Sequence, residues 1–256
     1  MSLLEKALKS LILTPERVGR VGETHAALRL GWADFCGYPG KVLRNVYIPK
    51  ANGETTEIDL LYVTAKGIFV IESKNYSGYI FGSEQNQNWT VTLFAGQNWM
   101  KQNKIEKHHF YNPIRQNRSH IQNLRRFLGK EIPMFSVIVF SSRCELKEIN
   151  ISSPDVLVCQ QGKLPAAIRK IWNENPDILS EQEIESICAQ LSRQTNQSEE
   201  VKQQHVEAIN RHLNDTTTCP WCGGELVLRT AKQGKNAGHQ FYGCSNYPRC
   251  KFIKNV

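Results

Sequence analysis

The sequence has no unbroken apolar run of membrane length, no internal repeat and no long low-complexity tract. With a mean hydropathy of −0.43, these absences exclude a membrane-spanning helix and a solenoid. Met1 to Leu13 also lacks the continuous apolar stretch and cleavage site of a signal peptide. Instead Leu3, Leu4, Ala7, Leu8, Leu11 and Ile12 recur at helical spacing between Glu5, Lys6 and Lys9. That pattern predicts an amphipathic helix within residues 1–17 that packs on its own domain rather than on a membrane. Acidic residues are in short supply: 24 Asp+Glu stand against 32 Lys+Arg, a formal net charge of +8, which favours a polyanionic partner. A chain of 256 residues buries a sizeable core without disulfides. Of its eight cysteines, Cys36, Cys144, Cys159 and Cys188 stand singly and read as buried thiols of a reducing, cytoplasmic compartment. The other four, Cys219, Cys222, Cys244 and Cys250, crowd into the last stretch, as metal ligands do.

Composition marks four segments. After residues 1–17, residues 18–178 alternate helical and strand patterns with aromatic residues throughout. Residues 180–215 contain no Gly, Pro or aromatic residue, and apolar residues at helical spacing predict one or two connecting helices over 179–215, broken near Thr195 to Ser198. Residues 216–256 form a small separate module. Within the main segment the pattern predicts a helix over 22–33 and strands near 42–48, 55–63 and 67–74. Shorter strands to about 102 follow, then a helix over 113–129 starting at Asn112-Pro113. Buried strands at 135–140 and 156–159 and a helix over 164–173 complete an α/β arrangement, a mixed sheet flanked by helices.

The chemistry concentrates in Glu57-Ile58-Asp59-Leu60-Leu61-Tyr62-Val63 and Ile68-Phe69-Val70-Ile71-Glu72-Ser73-Lys74. Two β-rich runs separated by Thr64-Ala65-Lys66-Gly67 read as a hairpin. If Val63 pairs with Ile68, counting outward sets Asp59 opposite Glu72, with Lys74 on the Glu72 face. Glu57 would share Asp59's face by the same alternation. Like charges opposite each other destabilise a half-buried sheet. Either one carboxyl is protonated or a cation lies between them. Two converging oxygen donors suit Mg²⁺ or Mn²⁺, and such a metal activates water for phosphoryl displacement. Solvated charges on a hairpin face are the plainer reading. The apolar run Ile68 to Ile71 argues against it, because it marks a buried strand that ends in Glu-Ser-Lys.

Asp59, a hairpin and Glu72-x-Lys74 resemble the PD-(D/E)XK nuclease signature. With Gly22-Glu23, the string Glu72-Ser73-Lys74-Asn75-Tyr76-Ser77-Gly78 and Asn112-Pro113-x-x-Gln116, the stretch over about 18–130 is similar to the NERD, or nuclease-related, domain. The resemblance implies a restriction-endonuclease-like core and Mg²⁺-dependent phosphodiester cleavage. It makes Asp59 and Glu72 metal ligands, with the Ser73 carbonyl a third candidate. It also makes Lys74 the catalytic lysine, Glu23 the helix-borne acid and Gln116 the second-helix residue facing the site. His120 lies one turn after Gln116, but a lone helical histidine is more often structural. Arg115, Arg118, Arg125 and Arg126 read equally as phosphate contacts or as the wet face of their helix.

In the tail, Cys219-x2-Cys222 and Cys244-x5-Cys250 supply two thiolate pairs suited to tetrahedral Zn²⁺; an iron–sulfur cluster is the weaker alternative. So small a module lacks a sufficient core, so metal binding would supply its folding energy. Cys219-Pro220-Trp221-Cys222-Gly223-Gly224 followed by Phe241-Tyr242-Gly243-Cys244-Ser245-Asn246-Tyr247-Pro248-x-Cys250 resembles the C4 zinc finger of bacterial topoisomerases, which implies DNA binding, often single-stranded. Trp221, Phe241, Tyr242 and Tyr247 offer stacking faces beside Arg229, Lys232, Lys235, Arg249 and Lys251. From Thr216 to Val256 six basic residues face one acid, Glu225, a net +5 that leaves only +3 for residues 1–215. The expected protein is a Mg²⁺-dependent nuclease acting on DNA and gripping it through the tail. A non-catalytic nucleic-acid-binding protein and an RNA-directed nuclease are the alternatives.

Overall fold

The run that ends in Glu72-Ser73-Lys74 is the middle strand of a five-stranded sheet in the computed structural model. The structure describes residues 38–51, 53–97, 103–195, 197–219, 224–233, 237–250 and 252–255. The helices expected within 1–17 and over 22–33 lie outside the described residues. The chain divides into two units at Gln197/Ser198.

In the first unit, β1 (Gly40–Pro49), β2 (Thr55–Thr64) and β3 (Gly67–Lys74) form an antiparallel meander. Alongside β3, β7 (Met134–Phe140) and β9 (Val156–Gln160) run parallel, giving the order β1-β2-β3-β7-β9. A mixed sheet with parallel central strands is buried on both faces, which is why β3 and β7 read as continuous apolar runs. The β2–β3 turn is tight: Thr64 pairs with Gly67 and Val63 with Ile68, in the register expected from the sequence. Gly67 has φ 129, and a Cβ there would stand 2.3 Å from Pro133 O, so the turn needs glycine.

One sheet face packs against α1 (Pro113–Leu128) and α3 (Glu181–Ser192), burying Ile58, Leu61, Val63, Ile68 and Val70 with Ile121, Leu124, Ile187 and Leu191. The other face packs against α2 (Leu164–Glu174) through Leu60, Tyr62, Phe69 and Ile71 with Leu164, Ile168 and Ile171. Helix α3 thus belongs to the first unit, although the sequence places it in a connecting segment. A capping box of Ser180 and Glu183 starts α3, and its apolar stripe joins the core of the first unit.

A second sheet, ordered β6-β5-β4-β8, is built from β4 (Gly78–Ser83), β5 (Asn88–Gln97), β6 (Asn103–Tyr111) and β8 (Cys144–Asn150). Trp89, Ile80 and Val91 form its core with Phe140 and Ile114. Where β6 ends, Asn112 caps α1. Its side chain accepts from Ile114 N at 2.9 Å, and its amide donates to the carbonyls of Ser83, Glu84 and Asn86. Pro113 fills the first turn and Gly129, with φ 62, closes the helix.

The second unit holds α4 (Glu199–Asn214) and a three-stranded antiparallel ribbon, β10 (Leu226–Thr230), β11 (Gln240–Cys244) and β12 (Ile253–Asn255). Among the described residues no helix is long and apolar enough to cross a membrane.

Candidate functional site

Two strand ends and one helix build the acidic site. The β2–β3 ladder ends at Leu60–Ile71, and the count sets Asp59 opposite Glu72. Regular alternation does not continue through Asp59. Ile58 packs in the same core layer as Leu61, whereas Leu60 packs with Tyr62 in the other, so β2 changes face at this residue. On β1 the count sets Asn45 opposite Asp59, and Asn45 has φ 51. Asparagine tolerates that left-handed conformation better than other side chains. The slip brings the Asp59 carboxylate to the edge of β3, where Oδ2 accepts the Ser73 amide at 2.8 Å.

The slip also overturns the expected place of Glu57. Thr56 and Ile58 face α1, so Glu57 points to the opposite side of the sheet, where Oε1 accepts from Asn45 Nδ2 at 3.1 Å. It adds no charge on Glu72's face.

Glu72 is 3% exposed. Lys74 Nζ donates to its Oε1 at 2.7 Å and to Gln116 Oε1 at 3.0 Å. Burial alone pushes the Glu72 carboxyl up, but the Lys74 charge and the His120 imidazole beside it outweigh that and hold it at about 2. Burial likewise pushes the Lys74 ammonium down, and the charges of Glu72 and Asp59 outweigh it, so its proton is held more tightly than on an ordinary lysine. The result is an ionised carboxylate and an ammonium in a largely buried setting, with a second carboxylate, Asp59, close enough to favour the charged ammonium.

Helix α1 delivers Gln116 because Asn117 pins it to the sheet. Asn117 is fully buried, and its amide donates to Val70 O at 2.7 Å and Ser136 Oγ at 2.9 Å. His120, set aside on sequence grounds, belongs to the same assembly. Its Nε2 lies 3.3 Å from Glu72 Oε2, and its Nδ1 shares a 2.8 Å hydrogen bond with Thr56 Oγ1. The signal for it was the four-residue spacing from Gln116, which sets both on one helix face. Glu23 lies outside the described residues.

The arginines of α1 divide. Arg115 donates to Gln85 O, and Arg118 pairs with Glu84 and donates to Ser153 Oγ. Glu84, 6% exposed, also accepts the amides of Ser152 and Ser153. The Ser153 hydroxyl, the Ser152 amide and Arg118 hold its carboxyl far below the usual range. This cluster ties β4 to the loop before β9.

In the ribbon, Cys219, Cys244 and Cys250 are buried with their sulfurs all within 4.8 Å of one another. Cys219 Sγ and Cys250 Sγ are 3.7 Å apart. That is far beyond a disulfide and matches two corners of a zinc tetrathiolate with bonds of about 2.3 Å. The Asn246 amide points at Cys244 Sγ at 3.4 Å, a knuckle contact that stabilises a thiolate. Cys222, the fourth ligand expected, lies outside the described residues, as do Trp221, Lys235 and Lys251. Tyr242 packs against the cysteine cluster and so serves the small core. Tyr247 is 63% exposed, and with Phe241, Arg229 and Ile253 it borders a hollow of about 290 Å³. Lys232 and Arg249 are exposed.

The geometry defines an α/β domain with a buried acid–lysine site, and a small ribbon whose clustered cysteines suit zinc. Residues 18–141 match the nuclease-related domain family, and residues 216–256 match the topoisomerase DNA binding C4 zinc finger. The chain therefore carries a NERD domain joined to a topoisomerase-type C4 zinc ribbon. An uncharacterized protein of Bacillus anthracis is 29% identical over 196 residues, 77% of this chain and 85% of that one. DNA topoisomerase 1 of Archaeoglobus fulgidus is 62% identical over 34 residues, 13% of this chain and 4% of the enzyme. DNA topoisomerase 1 of Helicobacter pylori strain J99 is 49% identical over 50 residues, 19% of this chain and 6% of the enzyme. The chain thus spans only a small part of either topoisomerase. No solved structure matches it.

Proposed function

We propose that this protein is a divalent-metal-dependent nuclease that hydrolyses phosphodiester bonds in DNA, and that its zinc ribbon grips the strand. The observation that carries the reading is the Glu72–Lys74–Gln116 assembly beside Asp59. An ion pair buried only for stability is a poor investment, because desolvation offsets most of its attraction. One whose members are both perturbed by specific charge partners, at the end of a strand, marks a working site.

The residues fit Mg²⁺ or Mn²⁺. Glu72 is kept ionised although buried, Asp59 reaches the same strand end, and both offer hard oxygen donors. Asp59 and Glu72 would hold the ion, which when bound lowers the pKa of water and neutralises charge on the phosphate. Lys74 keeps its proton and supplies a fixed positive charge to a phosphate oxygen. Gln116 accepts from Lys74 and so sets the direction of that charge. The Ser73 amide, taken by Asp59, keeps the Asp59 carboxylate from turning away.

In the ribbon, Tyr247 and Phe241 would stack on bases, and Arg249 and Lys232 would meet phosphates. Stacking is indifferent to sequence, since every base has a flat face. DNA is favoured over RNA because the ribbon's relatives are DNA topoisomerases. The test is degradation of labelled single-stranded DNA, duplex DNA and RNA by the zinc-loaded full chain with Mg²⁺ or Mn²⁺. The reading requires cleavage of DNA that stops without a divalent ion. Cleavage of RNA alone, or none of any substrate, would refute it.

A further inference from the structure

His120 has no part in the steps above, yet its placement is more specific than packing requires. It is 6% exposed, on α1, and clamped at Nδ1 by Thr56 Oγ1 of β2 at 2.8 Å. Its Nε2 faces Glu72 Oε2 at 3.3 Å and makes no aligned hydrogen bond. A buried ring nitrogen without such a bond costs free energy. That cost is tolerated where the atom is committed to a charged neighbour. The two oxygens of Glu72 thus have different partners, Lys74 at Oε1 and His120 at Oε2.

We propose that His120, held by Thr56, is the positioning residue of Glu72. It keeps Oε2, so that the carboxylate stays in one orientation when Lys74 turns from Oε1 toward a phosphate and the freed oxygen serves the metal. The inference rests on the reading that Asp59 and Glu72 bind a divalent ion. His120 stands behind the carboxylate and is not itself a ligand. Both of its ring nitrogens are already committed, Nδ1 to Thr56 Oγ1 and Nε2 to the Glu72 carboxylate. Partners of this kind, one layer outside the ligands, are worth about 10–100-fold in metal affinity. Thr56 completes the chain of restraint: a hydroxyl on a neighbouring strand fixes the ring that fixes the carboxylate.

The test is Mn²⁺ binding to the zinc-loaded full chain, read as free Mn²⁺ by electron paramagnetic resonance, with thermal melts alongside. The variants are Asp59→Ala, His120→Ala, His120→Gln and Thr56→Val. Asp59→Ala should abolish the site, and His120→Ala should weaken Mn²⁺ about 10–100-fold. His120→Gln, which keeps an amide donor, should recover much of that loss, and Thr56→Val should weaken binding several-fold. Affinity in His120→Ala within twofold of wild type, while Asp59→Ala abolishes binding, would overturn this inference alone. If His120→Ala fails to fold, Thr56→Val decides, and unchanged affinity there overturns it. If wild type has no Mn²⁺ site that Asp59→Ala removes, the metal-site reading fails and this inference falls with it.

Discussion

The Asp59 carboxylate on β2 takes the Ser73 amide of β3 at 2.8 Å, just beyond the last backbone pair of the two strands, Leu60–Ile71. A side chain so replaces a backbone acceptor at the strand ends where charge is gathered. Asp59→Asn keeps an acceptor for that amide and removes the charge. It should therefore melt within a few degrees of wild type and lose cleavage to background. Asp59→Ala should lose both. Calorimetry beside the cleavage assay separates the two roles.

The bend that frees Asp59 depends on Asn45, whose φ of 51 is strained for most side chains. Asn45→Val should destabilise the protein by about 1–2 kcal/mol from the left-handed backbone alone. Asn45→Gly should fold normally. Urea unfolding measures both; equal midpoints for the two variants would show that the bend carries no strain.

Glu72 gives a signed prediction for pH. Its proton is bound more weakly in the folded protein, at about 2 against an ordinary 4.5. Its contribution to stability is thus fully present above about pH 4.5 and fades as pH falls toward 2. Urea midpoints from pH 6 to pH 2 should fall less steeply for Glu72→Gln than for wild type. A steeper fall in the variant would reverse the sign argued for the site.

Metal removal should separate the cysteines. Burial pushes the thiols of Cys144 and Cys188 up to about 11 and that of Cys159 up to about 12, so they stay unreactive. A zinc chelator should expose Cys219, Cys244 and Cys250 to alkylation and leave those three protected. Peptide mass spectrometry after labelling reads the pattern; protection of the ribbon thiols despite chelation would argue against a shared ion.

The ribbon's two kinds of contact predict two kinds of loss. Arg249→Ala or Lys232→Ala should lower the slope of log K against log[salt] for single-stranded DNA by about 0.7 each. Tyr247→Ala should cost about 1–3 kcal/mol of binding with the slope unchanged. Fluorescence anisotropy across a salt series distinguishes them.

Much of this was legible in the sequence for physical reasons. Two β-rich runs within 57–74, joined by a turn ended by Gly67, let the register be counted outward from Val63 and Ile68, as the ladder has it. Asn112-Pro113 and Gly129 bracket α1 as cap chemistry requires. The slip at Asp59 was not legible, because alternation assumes an unbroken strand, and only the backbone of Asn45 reveals the bend. Glu57 was misplaced for the same reason. His120 was read as structural because its partners, Thr56 and Glu72, are 64 and 48 residues away in the chain, brought near only by the packing of α1 on β2 and β3. In the ribbon the thiol spacing was informative on its own, whereas the partial burial of Tyr242 and the exposure of Tyr247 follow from which face of β11 meets the cysteines and which turn lies outside them.

The central claim is that chemistry occurs at Asp59, Glu72 and Lys74. Its most direct test is the rate of DNA cleavage by Lys74→Ala beside wild type and Asp59→Ala, each zinc-loaded, in saturating Mg²⁺ or Mn²⁺. The account predicts a loss of about 10²–10³-fold for Lys74→Ala, as for removal of one charge-stabilising donor, and background cleavage for Asp59→Ala. Cleavage at the wild-type rate in both variants would contradict it.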